Sequence, residues 1–411
     1  MKRLISLFIL SSMLLSISSC SGSVEDEDTS SADSSSYYVE TTDNRLSDEL
    51  EDKSFGGAEF PILTTSWYNA ADYIYAETQN GDVMNDAIYS SITYVEDRFD
   101  VDITVAADQN FDAVASTIHK LVMAGDNTYK LFYNHDLKTV SNALSGDFLD
   151  IRSLPCINFS KPWWNGTSDS FTIGGKLYFT GNCLALSGIF MNYVLAVNKE
   201  LAENYKIDTP YDSVVDGDWY LDDLIGLIKD FPNDLDGNGT IDDGDLHGFV
   251  TSYYGHLGIQ SDLVGTVITK DKDGMLSFVD STERIVGITE KVSQLLSHGT
   301  DKYGEGNDYG VDLFKENKAI FMVCEMRNLY TQVRETDIVY GILPFPKYDE
   351  TQKEYRSSGC DIYWAVPLTA SDDAEMIGTV VEALSCKNYN DVIPKIWELV
   401  LRGAPAGKRQ G

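Results

Sequence analysis

The stretch NDAIYSSITYVEDRFDVDITVA, Asn85 to Ala106, changes its period in the middle. Asn85-Asp86 caps a helical pattern that sets Ile88, Ile92 and Val95 on one face. From Val101 to Ala106 the apolar residues alternate, as in a half-buried strand. Upstream, Glu59–Thr65 (EFPILTT) suits a buried first strand. Downstream, Phe111–Ala124 reads as a helix with Gly125 at its C-cap, and Tyr129–Tyr133 (YKLFY) as a third strand. Strand, helix, strand, helix, strand is the order of a parallel sheet with crossover helices, so the class is α/β.

Ligands of such sheets sit beyond the carboxyl ends of the strands. The loops there carry Trp67 and Tyr68, then Asn134, His135 and Asp136. A second group of strands and helices begins near Gly174. It includes a helix over 220–230, a strand at Gly248–Thr251 leading to an aromatic loop at Tyr253 and Tyr254, and strands at 339–343 and 364–368, the latter starting at Trp364. The chain has 24 Tyr, 17 Phe and 6 Trp. Flat apolar sugar faces stack on such rings while hydroxyls meet polar side chains, so the loop aromatics point to a carbohydrate cleft. Trp163, Trp164 and Trp219 are expected to pack internally, and His135–Asp136 to contact ligand or lie at the surface.

The first nineteen residues have a basic start, Lys2-Arg3, and an apolar run too short for a comfortable membrane span. Ile17-Ser18-Ser19-Cys20 resembles the lipobox of bacterial lipoproteins, which implies lipidation of Cys20. Residues 20–54 are rich in Ser, Asp and Glu and are expected to be a disordered tether. Without the leader the chain keeps 65 acidic and 29 basic residues. That balance repels nucleic acid and anionic lipid, so membrane contact is expected through the anchor only. Five further cysteines with wide spacing do not form a disulfide framework.

Asp234–Asp245 (DLDGNGTIDDGD) follows the calcium-loop spacing, with Asp234, Asp236, Asn238, Thr240, Asp242 and Asp245 as oxygen donors. Pro232 stops the incoming helix and a strand leaves, so a single structural calcium brace is expected, not a sensor. No cofactor for catalysis is expected. The sequence has no H-E-x-x-H, G-x-S-x-G or Gly-Lys-Ser/Thr phosphate loop, and its five His lack zinc spacing.

Several segments together carry a family likeness: GDVMNDAIYSSITYVEDRFDVDITV, FSKPWWNGTSDSFTIGGKLYF, VLAVNKELAENYKIDTPYDSVVDGDWYLDDL and YGILPFPKYDETQKEY. In order and spacing the chain resembles bacterial family 1 extracellular solute-binding proteins of the maltose-binding superfamily, over roughly residues 55–395. The resemblance implies a two-lobed, type II periplasmic-binding-protein-like fold with three crossings and a ligand cleft between lobes. Carried over, the crossings fall near Cys183–Gly188, Glu325–Leu329 and Leu368–Ser371. The lobes are then 55–183 plus 328–368, and 187–325 plus 371–411. Arg327, at the second crossing, and Asp361 become candidate ligand contacts. The basic tail RGAPAGKRQG departs from the family pattern and reads as a truncation of the second lobe. The implied function is a lipid-anchored monomer on the outer face of the membrane. It captures a sugar or oligosaccharide for an ABC permease and is not an enzyme. The alternatives are an exported carbohydrate-active hydrolase and a ligand-binding lipoprotein that serves a sensor.

Overall fold

The computed structural model describes residues 45–164, 167–231, 234–239, 241–297, 310–359 and 362–401. Cys20, the leader, Thr240, Asp361 and the tail 402–411 lie outside the described residues. The chain opens with β1 (Ala58–Thr65), α1 (Val83–Phe99), β2 (Val101–Asp108), α2 (Phe111–Ala124), β3 (Leu131–His135) and α3 (Asp136–Leu144). Helix α1 starts before the expected Asn85-Asp86 cap. Asp82 Oδ1 accepts the amides of Met84 and Asn85, both at 3.0 Å. Asp86 instead accepts the amides of Asn80 and Gly81 and so shapes the turn before the helix. Helix α2 has the expected bounds: Asn110 caps its start, and Gly125, at φ +72°, closes its end. The parallel register runs from Ala58↔Val101 to Thr65↔Asp108, and β3 pairs with the other side of β1.

The second group holds β4 (Tyr193–Asn198), α4 (Leu221–Ile228), β5 (His247–Thr251), α5 (Tyr253–Val264), β6 (Ile268–Lys270), β7 (Leu276–Phe278), α6 (Thr282–Ser297), β8 (Ala319–Glu325) and β9 (Tyr340–Leu343). The chain then adds β10 (Ile362–Ala365), α7 (Ala374–Lys387) and α8 (Ile393–Leu401). Among the described residues the strands form two four-stranded sheets, ordered β10-β3-β1-β2 and β5-β8-β4-β9, and a β6–β7 hairpin. Each four-stranded sheet joins parallel neighbours to an antiparallel strand: β10 against β3, and β4 against β8. No helix among the described residues is long and apolar enough to cross a membrane.

The expected lobe ranges need correction. Strand β9 pairs with β4, Leu195↔Leu343, so residues 340–343 belong to the second sheet. Ser357 and Ser358 still run beside Tyr193 of that sheet. Ile362 is already in the first, so the chain passes between them at 359–362, not at 368–371. Helix α7 and the π-helical turn Asn388–Val392 then pack against α1, with Ser91 Oγ donating to Asn388 Oδ1 at 2.7 Å. The cause is the apolar face Ile377, Val380, Val381 and Leu384. It shares one buried core with Trp163, Trp164, Ile88 and Ile92. At its centre the buried carboxylate of Glu382 accepts the indole N–H of Trp163 at 3.1 Å and of Trp164 at 3.0 Å. Burial pushes Glu382 up to about 7.

The tether expectation also changes. Residues 45–54 lie as an extended strap along α7. Arg45 pairs with Asp391, Leu46 exchanges hydrogen bonds with Asn390, and Lys53 pairs with Glu375. Arg98 holds the middle by donating to Asp48, Asp52 and the carbonyl of Leu50. Low hydrophobicity predicts disorder only when the charges lack partners, and this strap finds them.

Candidate functional site

Strands β1 and β3 run in parallel and end at Thr65 and His135, and β5 and β8 end at Thr251 and Glu325. Most of the expected site residues sit at these ends. Trp67 is central in the first sheet's group. Its ring lies 4.4 Å from Tyr68, 4.9 Å from His135 and 5.9 Å from Phe111. His135 also packs on Phe111 at 4.8 Å, and its Nδ1 lies 2.7 Å from Asp136 Oδ1. The pair braces an aromatic wall.

From the second sheet comes Arg327, directly after β8. Its Nε and Nη2 reach Glu325 Oε2 at 3.0 and 2.9 Å, and both side chains are nearly buried. The guanidinium lies over the Tyr68 ring at 4.3 Å, a cation–π contact between the loop after β1 and the segment after β8. Close by, Tyr73 stacks on Phe190 at 4.7 Å and Phe190 packs on Tyr330. The Tyr330 hydroxyl donates to Asp82 Oδ2 at 3.2 Å. Burial pushes the Tyr73 hydroxyl up to about 12, opposed by Arg327, so Tyr73 stays protonated at neutral pH. Surface cavities of about 560 and 710 Å³ lie elsewhere, along the strap and beside α4.

Tyr253 and Tyr254 stand at the carboxyl end of β5, half-exposed and packed edge to face at 5.3 Å. They open helix α5, where the sequence suggested a loop. Gly255 and Gly258 masked that helix. A Cβ at these positions would come within 2.4 Å of Thr251 Oγ1 and 2.6 Å of the Tyr193 ring, so glycine lets the helix lie close on its sheet. Ser252 caps it through the amide of Gly255.

Two expected ligand contacts are corrected. Trp364 is fully buried, and its indole N–H donates to Asn182 Oδ1 at 3.0 Å, so it is a core residue. Strand alternation turned it inward, against Trp164. Asn134 is also fully buried; its amide donates to the Phe111 carbonyl and accepts from His135 N, which positions the wall. Phe111 and Glu325 were missed. Phe111 follows the Asn110 helix cap at the end of β2, and Glu325 stands two residues before a flagged arginine; both places were readable.

The Asp234–Asp245 loop lies between α4, which ends at Ile228, and β5. Asp234 accepts the amides of Gly237, Asn238 and Gly239. Asp245 is buried and accepts those of Leu235 and Asp242, which hold its carboxyl below the usual range. One oxygen each from Asp234, Asp236 and Asp245 lies within 4.8 Å of the others. Hard carboxylate oxygens at that spacing fit a calcium-sized ion. Asp242 turns instead to the amide of Gly244, and Asn238 Nδ2 to Asp236.

Two α/β sheets whose carboxyl ends meet through Tyr68 and Arg327 define the two-lobed binding-protein fold. Solved structures share this fold at low sequence identity. RafE from Streptococcus pneumoniae aligns with a TM-score of 0.54 at 13% identity, covering 86% of this chain and 84% of its own. A family 1 extracellular solute-binding protein from Bifidobacterium longum subsp. infantis gives 0.53 at 14%, covering 85% and 83%. The GacH receptor of Streptomyces glaucescens, solved unliganded and with acarbose, gives 0.53 at 13%, covering 85% and 80%. No family model and no curated relative matches the sequence.

Proposed function

We propose that this protein captures a neutral oligosaccharide between its two sheets and delivers it to an ABC importer, without altering it. The observation that carries the reading is the aromatic wall Trp67–Phe111–His135, joined to Arg327 through the Tyr68 ring across the carboxyl ends of the two sheets. Rings supply flat stacking surfaces, and a guanidinium supplies donors for hydroxyls. Acarbose, a sugar-like ligand, is bound by the GacH receptor of the same fold. Tyr253 and Tyr254 extend the stacking surface from the second sheet.

On this reading the protein works outside the cytoplasm as a monomer, held to the membrane by lipid on Cys20, and docks on permease subunits. The Asp234–Asp245 loop takes calcium on the carboxylates of Asp234, Asp236 and Asp245 and braces the junction between α4 and β5. Asp361, next to β10, is a further candidate contact. The test is a thermal-shift screen of the mature protein against neutral oligosaccharides, with chromatography of the same mixtures. A melting shift without product supports capture. Product that disappears with one carboxylate substitution favours a hydrolase, and no shift with any saccharide removes the reading.

A further inference from the structure

The backbone at the site is strained in one place. Tyr68 (φ 49°, ψ 37°) and Asn69 (φ 59°, ψ 27°) are consecutive left-handed residues. Asparagine tolerates this region; tyrosine does not, because its Cβ crowds the following carbonyl. Such strain persists only where surrounding contacts outweigh it. Here two sets of contacts do so. Below, Ser66 donates to Asp108 O, Asn69 to Ser66 O and Trp67 N to Thr65 Oγ1, which fixes the turn. Above, the Tyr68 ring packs against Trp67 and against the guanidinium of Arg327.

Arg327 is itself fixed. Both of its contacts to Glu325 converge on one carboxylate oxygen, and the pair is nearly buried. An ion pair so placed is costly to desolvate unless its groups are well paired. The Tyr68 ring lies over its guanidinium. On the saccharide-capture reading, a sugar ring stacked between Trp67 and the Arg327 guanidinium would take the place that the Tyr68 ring fills.

We propose that Tyr68 is a removable plug. Its ring covers the Arg327 guanidinium, and an incoming saccharide displaces it. The loop relaxes from its left-handed conformation as the ring leaves, so strain partly offsets the lost cation–π contact. The plug keeps the guanidinium covered between binding events and lowers apparent affinity in proportion to the fraction of molecules in which the seat is open. This inference rests on the saccharide-capture reading.

The experiment uses Tyr68→Gly, because glycine adopts the left-handed region freely and preserves the turn. Two readouts separate the claims. The first needs no ligand. In a Trp397→Phe background, Trp67 is the one partly exposed tryptophan, since Trp163, Trp164, Trp219 and Trp364 are at most 1% exposed. Acrylamide quenching of Trp67 is expected to rise in Tyr68→Gly; unchanged quenching overturns the cover. The second is calorimetric titration with the oligosaccharide giving the largest melting shift in the screen. The plug predicts that Tyr68→Gly binds about threefold to tenfold more tightly than native. Weaker binding by the variant overturns the plug, makes Tyr68 a fixed stacking wall and leaves the capture reading intact. No saccharide binding to either protein overturns the capture reading and the competition together, while quenching still reports the cover.

Discussion

Arg98 and Asp48 form a short ion pair, 2.6 Å from Nη1 to Oδ2, with Asp48 only 8% exposed. It fastens a segment that composition alone would leave loose. The same guanidinium holds Asp52 and the Leu50 carbonyl, so one side chain organises the middle of the strap. Removing one partner of a buried pair leaves the other uncompensated. Arg98→Ala is expected to cost about 2 kcal/mol, less than a fully buried pair because Arg98 is partly solvated. Hydrogen exchange over residues 46–55 should accelerate in the variant and, more weakly, in native protein at high salt. Unchanged exchange would show that the strap is held by something else.

Glu382 sets a pH dependence. Burial raises it from 4.5 to about 7, although Trp164, Asn158 and Trp163 donate to it. An acid with a raised folded pKa binds its proton more tightly in the folded state. Its contribution is therefore fully present below pH 4.5 and is lost as pH rises through 7. A shift of that size corresponds to about 3 kcal/mol at most. Asp262, raised to about 7 by burial, acts in the same direction. Melting temperatures of native protein, Glu382→Gln and Asp262→Asn between pH 4.5 and 7.5 check this. Each variant should flatten part of the downward slope on the alkaline side, and parallel curves would refute the assignment.

The acidic loop gives a metal prediction. Calcium should raise the melting temperature, and calorimetry should show one weak site that disappears in Asp234→Asn/Asp236→Asn. At a hundredfold excess over Kd the gain is about 2.7 kcal/mol. Magnesium should substitute poorly, because it demands a tighter octahedral shell. Equal responses to both ions, or heat that survives the double substitution, would leave the loop a plain turn.

Two tryptophans separate wall from core. Trp364→Phe loses the hydrogen bond to Asn182 and is expected to cost about 1–3 kcal/mol of stability while sparing ligand affinity. Trp67→Ala should do the reverse in emphasis, weakening saccharide binding about tenfold or more. Paired melting and titration curves read both. A Trp364→Phe variant that folds with full stability but binds poorly would return Trp364 to the site.

The first sheet was legible because its signals are local. Helix α2 carries its own caps, and the period change after Phe99 marks α1 and β2. The elements that escaped depend on distant partners. Helix α5 hides behind glycines explained only by Tyr193 and Thr251. The strap needs Arg98 and Asn390, and α7 chooses its sheet through Trp163 and Trp164, more than two hundred residues away. At the site, sequence placed Trp67, Tyr68, His135 and Arg327 at strand ends, and the structure joins them. It could not decide which way Trp364 faces, because a strand presents alternate residues to opposite sides and a one-residue change of phase inverts the answer.

On the proposed function, saccharide is held between Trp67 of the first sheet and Arg327 beside the second. The most direct measurement is calorimetric titration of native protein and Trp67→Ala with the best saccharide from the screen, with chromatography of the spent sample. Capture predicts saturable binding to native protein, at least about tenfold weaker binding to Trp67→Ala, and intact saccharide recovered from both. Equal affinity in the two proteins, or cleaved saccharide in the native sample, would contradict it.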